Sequence, residues 1–312
     1  MTELKLGVQI GCLSLKNPIM PASGAFGEEM ERLMDFNQLG AVVPKSITKY
    51  PRGGNATPRV CEVSAGMINS IGIQSKGLDY YLEHTLPYYR KYETPLISSI
   101  SADSIDEYAE MAEIIARNEG VSAIELNISC PNLKGNGQVF GMDPNISYQL
   151  VKKVKEVTDK PIIAKLTPNV TSVQEIALAC ESGNADGLNV ANTILAMAID
   201  IHTRKPKIGN VMGGISGPAV KPIIVRMIYQ VRQVTNLPII GCGGVMTAED
   251  AIEMMLAGAT AIQVGTASFI HPLAMLDILE GIKEYMNMYN IKDINELIGQ
   301  VDIPAQKVSV NS

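Results

Sequence analysis

The chain has no tryptophan, three histidines and five cysteines in 312 residues, and these scarcities narrow the chemistry at once. His84, His202 and His271 lie far apart with no HExxH-type spacing, so no metal site is expected. Cys12, Cys61, Cys130, Cys180 and Cys242 are odd in number and scattered, without a CxxC pair. That pattern argues against a disulfide framework and against an iron–sulfur cluster in this chain, and the thiols are expected to be reduced. Charge is sparse as well: 19% of residues are charged, and 26 Lys+Arg against 32 Asp+Glu leave a net −6 with no basic stripe. Nucleic acid is therefore not an expected partner. No apolar run approaches the roughly 20 residues that span a bilayer, and Met1-Thr-Glu-Leu-Lys lacks a signal-peptide core. A cytoplasmic protein without membrane contact is the expectation.

Apolar residues are plentiful at 46%, enough for a large core, and no linker or low-complexity segment divides the chain. Residues 1–312 are expected to form a single domain. Eight short apolar runs read as buried parallel strands: Ile19 to Pro21, Ala41 to Val43, Leu96 to Ile100, Ala123 to Leu126, Ile162 to Leu166, Gly187 to Val190, Pro238 to Gly241 and Ala261 to Val264. Helices between the later runs start at Ser104/Glu107, Ser172/Glu175 and Thr247/Asp250, which fit the capping pattern, and Gly120, Gly183 and Gly258 stand where helix ends take a positive φ. Ile146, Leu150, Val151 and Val154 repeat at helical spacing, with Lys152, Lys153 and Lys155 on the opposite side. This alternation predicts an α/β fold, a (β/α)8 TIM barrel. A doubly wound open sheet is the competitor, but no GxGxxG occurs. Residues 53–92 exceed an ordinary connection and are expected to build extra structure over the barrel mouth.

In such a barrel chemistry sits at the C-terminal ends of the strands. Ser23, Lys45-Ser46, Ser99, Asn127 to Cys130, Lys165, Asn192-Thr193, Gly243-Gly244 and Gly265-Thr266 follow or end the eight runs. A single such residue is ordinary turn chemistry, but eight converging on one face point to a site. Gly243-Gly244 and Gly265-Thr266 fit a phosphate held by backbone N–H groups, or else tight turns that glycine tolerates. Lys45 and Lys165 continue apolar strands and are expected to face an anion, with rim snorkelling as the alternative. Cys130 lies in a glycine-rich stretch through Gly135, Gly137 and Gly141 that can move as a lid, flanked by amides and hydroxyls, where a thiol can act as nucleophile or general base. Cys12, Cys61 and Cys180 read as inert buried thiols.

Asn127-Ile-Ser-Cys-Pro-Asn132, Asn69-Ser-Ile-Gly-Ile73, Gly213-Gly-Ile-Ser-Gly-Pro218 with Lys221-Pro222, and Gly241-Cys-Gly-Gly-Val245 together resemble class 1 dihydroorotate dehydrogenase, over Asn17 to about Pro272. Thr57-Pro-Arg-Val60, Gly66-Met67, Asn192-Thr193, Asp200, Thr203-Arg204 and Pro206 look like type B, the NAD-linked catalytic subunit. Ser75-Lys76-Gly77, Asp79-Tyr80-Tyr81 and Ser99 are nearer to type A, which passes electrons to fumarate without a partner.

The resemblance implies oxidation of (S)-dihydroorotate to orotate in pyrimidine biosynthesis, with one FMN per chain as hydride acceptor and Cys130 as the base. It implies a substrate site of Lys45, Asn69, Ser70, Ile71, Gly72, Ile73, Asn127, Asn132, Asn192 and Thr193. FMN would be held by Ser23, Lys45, Ser46, Ser99, Asn127, Lys165, Ala191, Gly217, Gly243, Gly244, Gly265 and Thr266. Type B further implies a homodimer within a heterotetramer, in which a partner subunit carries FAD and an iron–sulfur cluster. A flavin-dependent dihydropyrimidine dehydrogenase and a non-redox phosphate-binding barrel are the other readings; the first commonly has His where Asn132 stands.

Overall fold

A computed structural model describes residues 4–129 and 140–304. Seven parallel strands form one curled sheet: β1 (Ile19–Pro21), β3 (Leu96–Ile100), β4 (Val121–Asn127), β5 (Ile162–Lys165), β6 (Gly187–Val190), β7 (Ile239–Cys242) and β8 (Ala261–Val264). Their order runs β1-β8-β7-β6-β5-β4-β3. The expected eighth strand, β2 (41–43), makes no ladder of its own and bridges only at Val42 to Leu96. Pro44 cuts it short, since proline has no N–H to donate. It nonetheless closes the ring. Gly40 N–H donates to Ile19 O at 2.8 Å on one side, while Val42 N–H donates to Pro95 O and Val42 O accepts from Ile97 N–H, both at 2.9 Å, on the other. The result is the expected (β/α)8 barrel.

Nearly every residue of these strands is buried, as runs covered on both faces require. Helices at Ile105–Ala116, Pro144–Lys155, Val173–Ser182, Lys221–Arg232, Ala248–Ala257 and Ala274–Met288 pack outside. The three predicted caps form: Ser104 and Ser172 accept from the N–H groups of Glu107 and Glu175, and Thr247 with Asp250 makes a reciprocal capping box. Gly120 and Gly258 take positive φ, but Gly183 has φ −79° and the left-handed residue is its neighbour Asn184. Asparagine tolerates that region, so the turn needs no glycine there. Thr247→Ala is expected to cost about 1 kcal/mol, because the Asp250 N–H at the helix start loses its acceptor. A lower urea midpoint with unchanged slope is the measurement; an unchanged midpoint would mean packing alone holds that helix.

The two barrel ends are finished differently. At the N-terminal end a hairpin, Val8–Ile10 with Leu13–Leu15, buries Ile10 against the start of β6, where a Cβ on Gly187 would come within 2.8 Å of Ile10 Cγ2. At the other end the long 53–92 segment does build extra structure. Its strands Val60–Val63 and Gly66–Asn69 join Gly213–Ser216 and Ile194–Ala196 in an antiparallel sheet. That sheet is tied to barrel loops by Thr266 Oγ1 donating to Ser216 Oγ at 2.9 Å and by Asn169 Nδ2 donating to Thr193 O at 3.3 Å. Among the described residues no helix is long and apolar enough to cross a membrane.

Candidate active site

Contacts across the barrel axis establish which side chains point inward. Glu125 of β4, Asn189 of β6 and Gln263 of β8 are fully buried and bond to one another. Asn189 Nδ2 donates to Glu125 Oε2 and to Gln263 Oε1, both at 2.7 Å, and Gln263 Nε2 donates to Glu125 Oε2 at 2.8 Å. Side chains alternate along a strand, so the same face two residues nearer the mouth carries Asn127, Ala191 and Gly265. Lys45 reaches the mouth from β2, its stem passing 3.3 Å from where a Gly24 Cβ would lie. Four positions named from sequence therefore crown the barrel.

Lys165, the last residue of β5, is 4% exposed; its Nζ donates to Gln263 Oε1 at 2.9 Å and lies 3.9 Å from Glu125 Oε1. At that separation attraction is on the order of 4 kcal/mol for an effective dielectric of about 20. Burying each ion costs several kcal/mol, so the pair adds little stability and its effect is on charge state. Burial disfavours a charged lysine, but the neighbouring Cys242 sulfur and Glu125 carboxylate outweigh it and hold Lys165 above its ordinary pKa. Burial pushes the Cys242 thiol up too, against the pull of the Lys165 ammonium. The anion expected opposite Lys165 is thus, first of all, a carboxylate of the same chain.

Around the rim the named residues fall into groups. Ser46 Oγ lies 3.3 Å from Ser23 Oγ and 3.0 Å from Ser99 Oγ, a row of hydroxyls beyond β1, β2 and β3. Asn127 Oδ1 accepts from Ser129 Oγ at 2.6 Å and from Asn192 Nδ2 at 3.3 Å, while Asn192 also bonds Ser129 and its Oδ1 accepts Thr193 N–H at 2.7 Å. Asn69 Nδ2 donates to Gly214 O at 3.4 Å, and Gly214 has no room for a side chain, since a Cβ would sit 1.8 Å from Thr193 Oγ1. Asn69, Asn192 and Thr193 are thereby drawn together by the outer sheet. Gly72 and Ile73 follow with positive φ. Ser70 and Ile71 instead hold the neighbouring segment, through Asn55 Nδ2 to Ser70 Oγ at 2.8 Å and Asn55 N–H to Ile71 O at 3.0 Å.

Gly217, Gly243 and Gly244 all take positive φ, and Gly265 opens the short helix Thr266–Ile270. Chain leaves β4 through Ser129 and returns at Phe140, where Gly141 N–H donates to Ile128 O at 2.9 Å. Cys130 and Asn132 lie outside the described residues. A family model for dihydroorotate dehydrogenase matches residues 5–286. The chain belongs to the dihydroorotate dehydrogenase family. Among this family, a protein of Alkaliphilus metalliredigens is 48% identical over 303 residues, covering 96% of this chain and 100% of the relative. One of Desulforamulus reducens is 49% identical over 299 residues (95% and 98%), and one of Listeria monocytogenes 48% over 295 (94% and 97%). Each of the three is named dihydroorotate dehydrogenase B (NAD(+)), catalytic subunit.

Two sequence expectations need correction within this dehydrogenase fold. Cys180 is buried, its thiol pushed up to about 12 by desolvation, but Cys12 is exposed in the turn of the N-terminal hairpin and Cys61 is half-exposed in the outer sheet. Both belong to peripheral hairpins, Cys12 in a turn and Cys61 on a strand, which lack the second covering layer of the barrel. Glu125, Asn189, Gln263 and Cys242 were not among the site residues expected from sequence. A carboxylate or amide amid Ala-Ile-Glu-Leu, Gly-Leu-Asn-Val and Ala-Ile-Gln-Val was the available signal, because each interrupts a buried run.

Proposed function

We propose that this chain oxidises (S)-dihydroorotate to orotate as the FMN-binding catalytic subunit of an NAD-linked dihydroorotate dehydrogenase, acting as a single barrel domain in the cytoplasm. The observation that carries this reading is the buried Lys165 ammonium beneath a crown of neutral amides and hydroxyls, in a chain of this family. The residues suit FMN. Gly265 leaves its mouth side open, with Ala22 Cβ, at 3.6 Å, the nearest heavy atom to a built Cβ. At Gly244 a Cβ would lie 2.7 Å from Lys221 N, so only bare backbone fits that turn. Gly217, Gly243, Gly244, Gly265 and Thr266 would hold the phosphate. Ser23, Lys45, Ser46, Ser99, Asn127, Lys165 and Ala191 would hold the ring and its chain.

When bound, FMN supplies a two-electron acceptor for the C6 hydrogen of the substrate. The protein's own residues do the rest. Asn69, Asn127, Asn132, Asn192 and Thr193 offer donors and acceptors to the edge of a planar diketo ring, with Ser70 to Ile73 shaping that wall. Lys45 faces the substrate carboxylate. The Cys130 sulfur takes the C5 proton, for which a thiol of ordinary pKa near roughly 8.5 needs only a modest shift.

Electrons then pass to NAD through a partner bearing FAD and an iron–sulfur cluster, in a heterotetramer built on a homodimer; the relatives' name and the absence of CxxC here support this. The purified chain is expected to be yellow and to reduce a dye, but not NAD, with dihydroorotate until the co-purifying partner is added. Full turnover with fumarate and no partner would make it the stand-alone form. A colourless protein from which no flavin can be recovered would overturn the whole reading.

A further inference from the structure

Glu125 is a carboxyl side chain at 0% exposure in the middle of a barrel, and nothing in the proposed reaction uses it. Its Oε2 accepts from two amides, while among the described residues Oε1 accepts no hydrogen bond and faces Lys165 Nζ at 3.9 Å. A carboxylate can only accept, so it dictates how both amides are turned. Gln263 must present Nε2 to Glu125, which leaves Oε1 for Lys165 and for Asn189 Nδ2. The lysine is therefore held both by charge and by a carbonyl whose direction Glu125 sets.

We propose that Glu125 is a positioning residue for the flavin site, keeping Lys165 charged and fixing its direction through Asn189 and Gln263. The inference rests on the reading that FMN fills the barrel mouth. Groups facing Lys165 are few: Glu125 from β4 and Cys242 from β7 are titratable, and Asn189 from β6 and Gln263 from β8 are neutral. At the same register β1 and β3 bring Met20 and Ser99, also uncharged, and Lys45 is the other cation at the mouth. Glu125 is the carboxylate among them, with Oε1 3.9 Å from Lys165 Nζ. Without it, burial drives a lysine to release its proton.

This has a measurable consequence for the cofactor. Two-electron reduction with uptake of one proton leaves the flavin ring one unit more negative. If Lys165 is already charged, that negative charge is met by a standing cation and no further proton is needed. If Lys165 is neutral in the oxidised protein, reduction draws a second proton from solvent onto its amine.

The FMN-loaded protein is expected to take up one proton per two electrons from about pH 6 to 9, read from the slope of flavin midpoint potential against pH. Glu125→Gln should take up two over the upper part of that range, doubling the slope. Equal slopes in the two proteins would overturn the inference while leaving the proposed function standing. Wild-type protein without flavin would overturn that function and this inference with it. Should Glu125→Gln not fold, the wild type decides alone: a single proton throughout supports the assignment, and a second proton appearing below about pH 9 refutes it.

Discussion

Replacing Cys130 by serine is expected to leave FMN bound and yet slow flavin reduction by dihydroorotate about a hundredfold or more at neutral pH, the usual worth of a general base. The chain position explains why so much hangs on one atom. Cys130 follows in sequence Ser129, whose hydroxyl is bonded to Asn127 and Asn192, two residues of the proposed substrate site. A serine hydroxyl is close in size to a thiol but is a far weaker base, and raising the pH should restore part of the rate. Stopped-flow bleaching of the flavin is the measurement. Bleaching at the wild-type rate would remove Cys130 from the role of base.

Lys165→Ala is expected to act on stability and on the cofactor together. Removing the ammonium leaves Glu125 buried without a counter-charge, at a cost of about 3–5 kcal/mol. It also removes the fixed positive charge of the proposed flavin site, which should lower FMN retention or the midpoint potential. Adding Glu125→Gln separates the effects: most of the lost stability should return, because no charge remains stranded, while the flavin defect should persist. Thermal unfolding, FMN content and potential on the single and double variants provide the comparison. If neither FMN content nor potential changes in the single variant, Lys165 serves only as the partner of Glu125.

How far the sequence could be read depended on whether a residue's partner lies near it in the chain. Helix starts at Ser104, Ser172 and Thr247 are local hydrogen bonds spanning three residues, and all three formed. Strands were legible because Val, Ile and Leu runs bounded by turns have few other uses. The polar residues at their ends were found by the same logic, since a barrel always gathers its C-terminal strand ends. The inner layer was not legible. Glu125, Asn189 and Gln263 are separated by 64, 74 and 138 positions pairwise, and only the closed barrel brings them into one plane. Residues 41–43 differ again: their composition is that of a strand, but Pro44 denies them a ladder, and closure rests on the bonds of Gly40 and Val42. Cys12 misled because hydrophobic neighbours in sequence do not bury a residue at a hairpin turn.

With Ile10 driven into its N-terminal end by the hairpin, the barrel is a cup and not a pipe. Whatever binds at the proposed site must therefore come and go on the side of the rim, never through the floor.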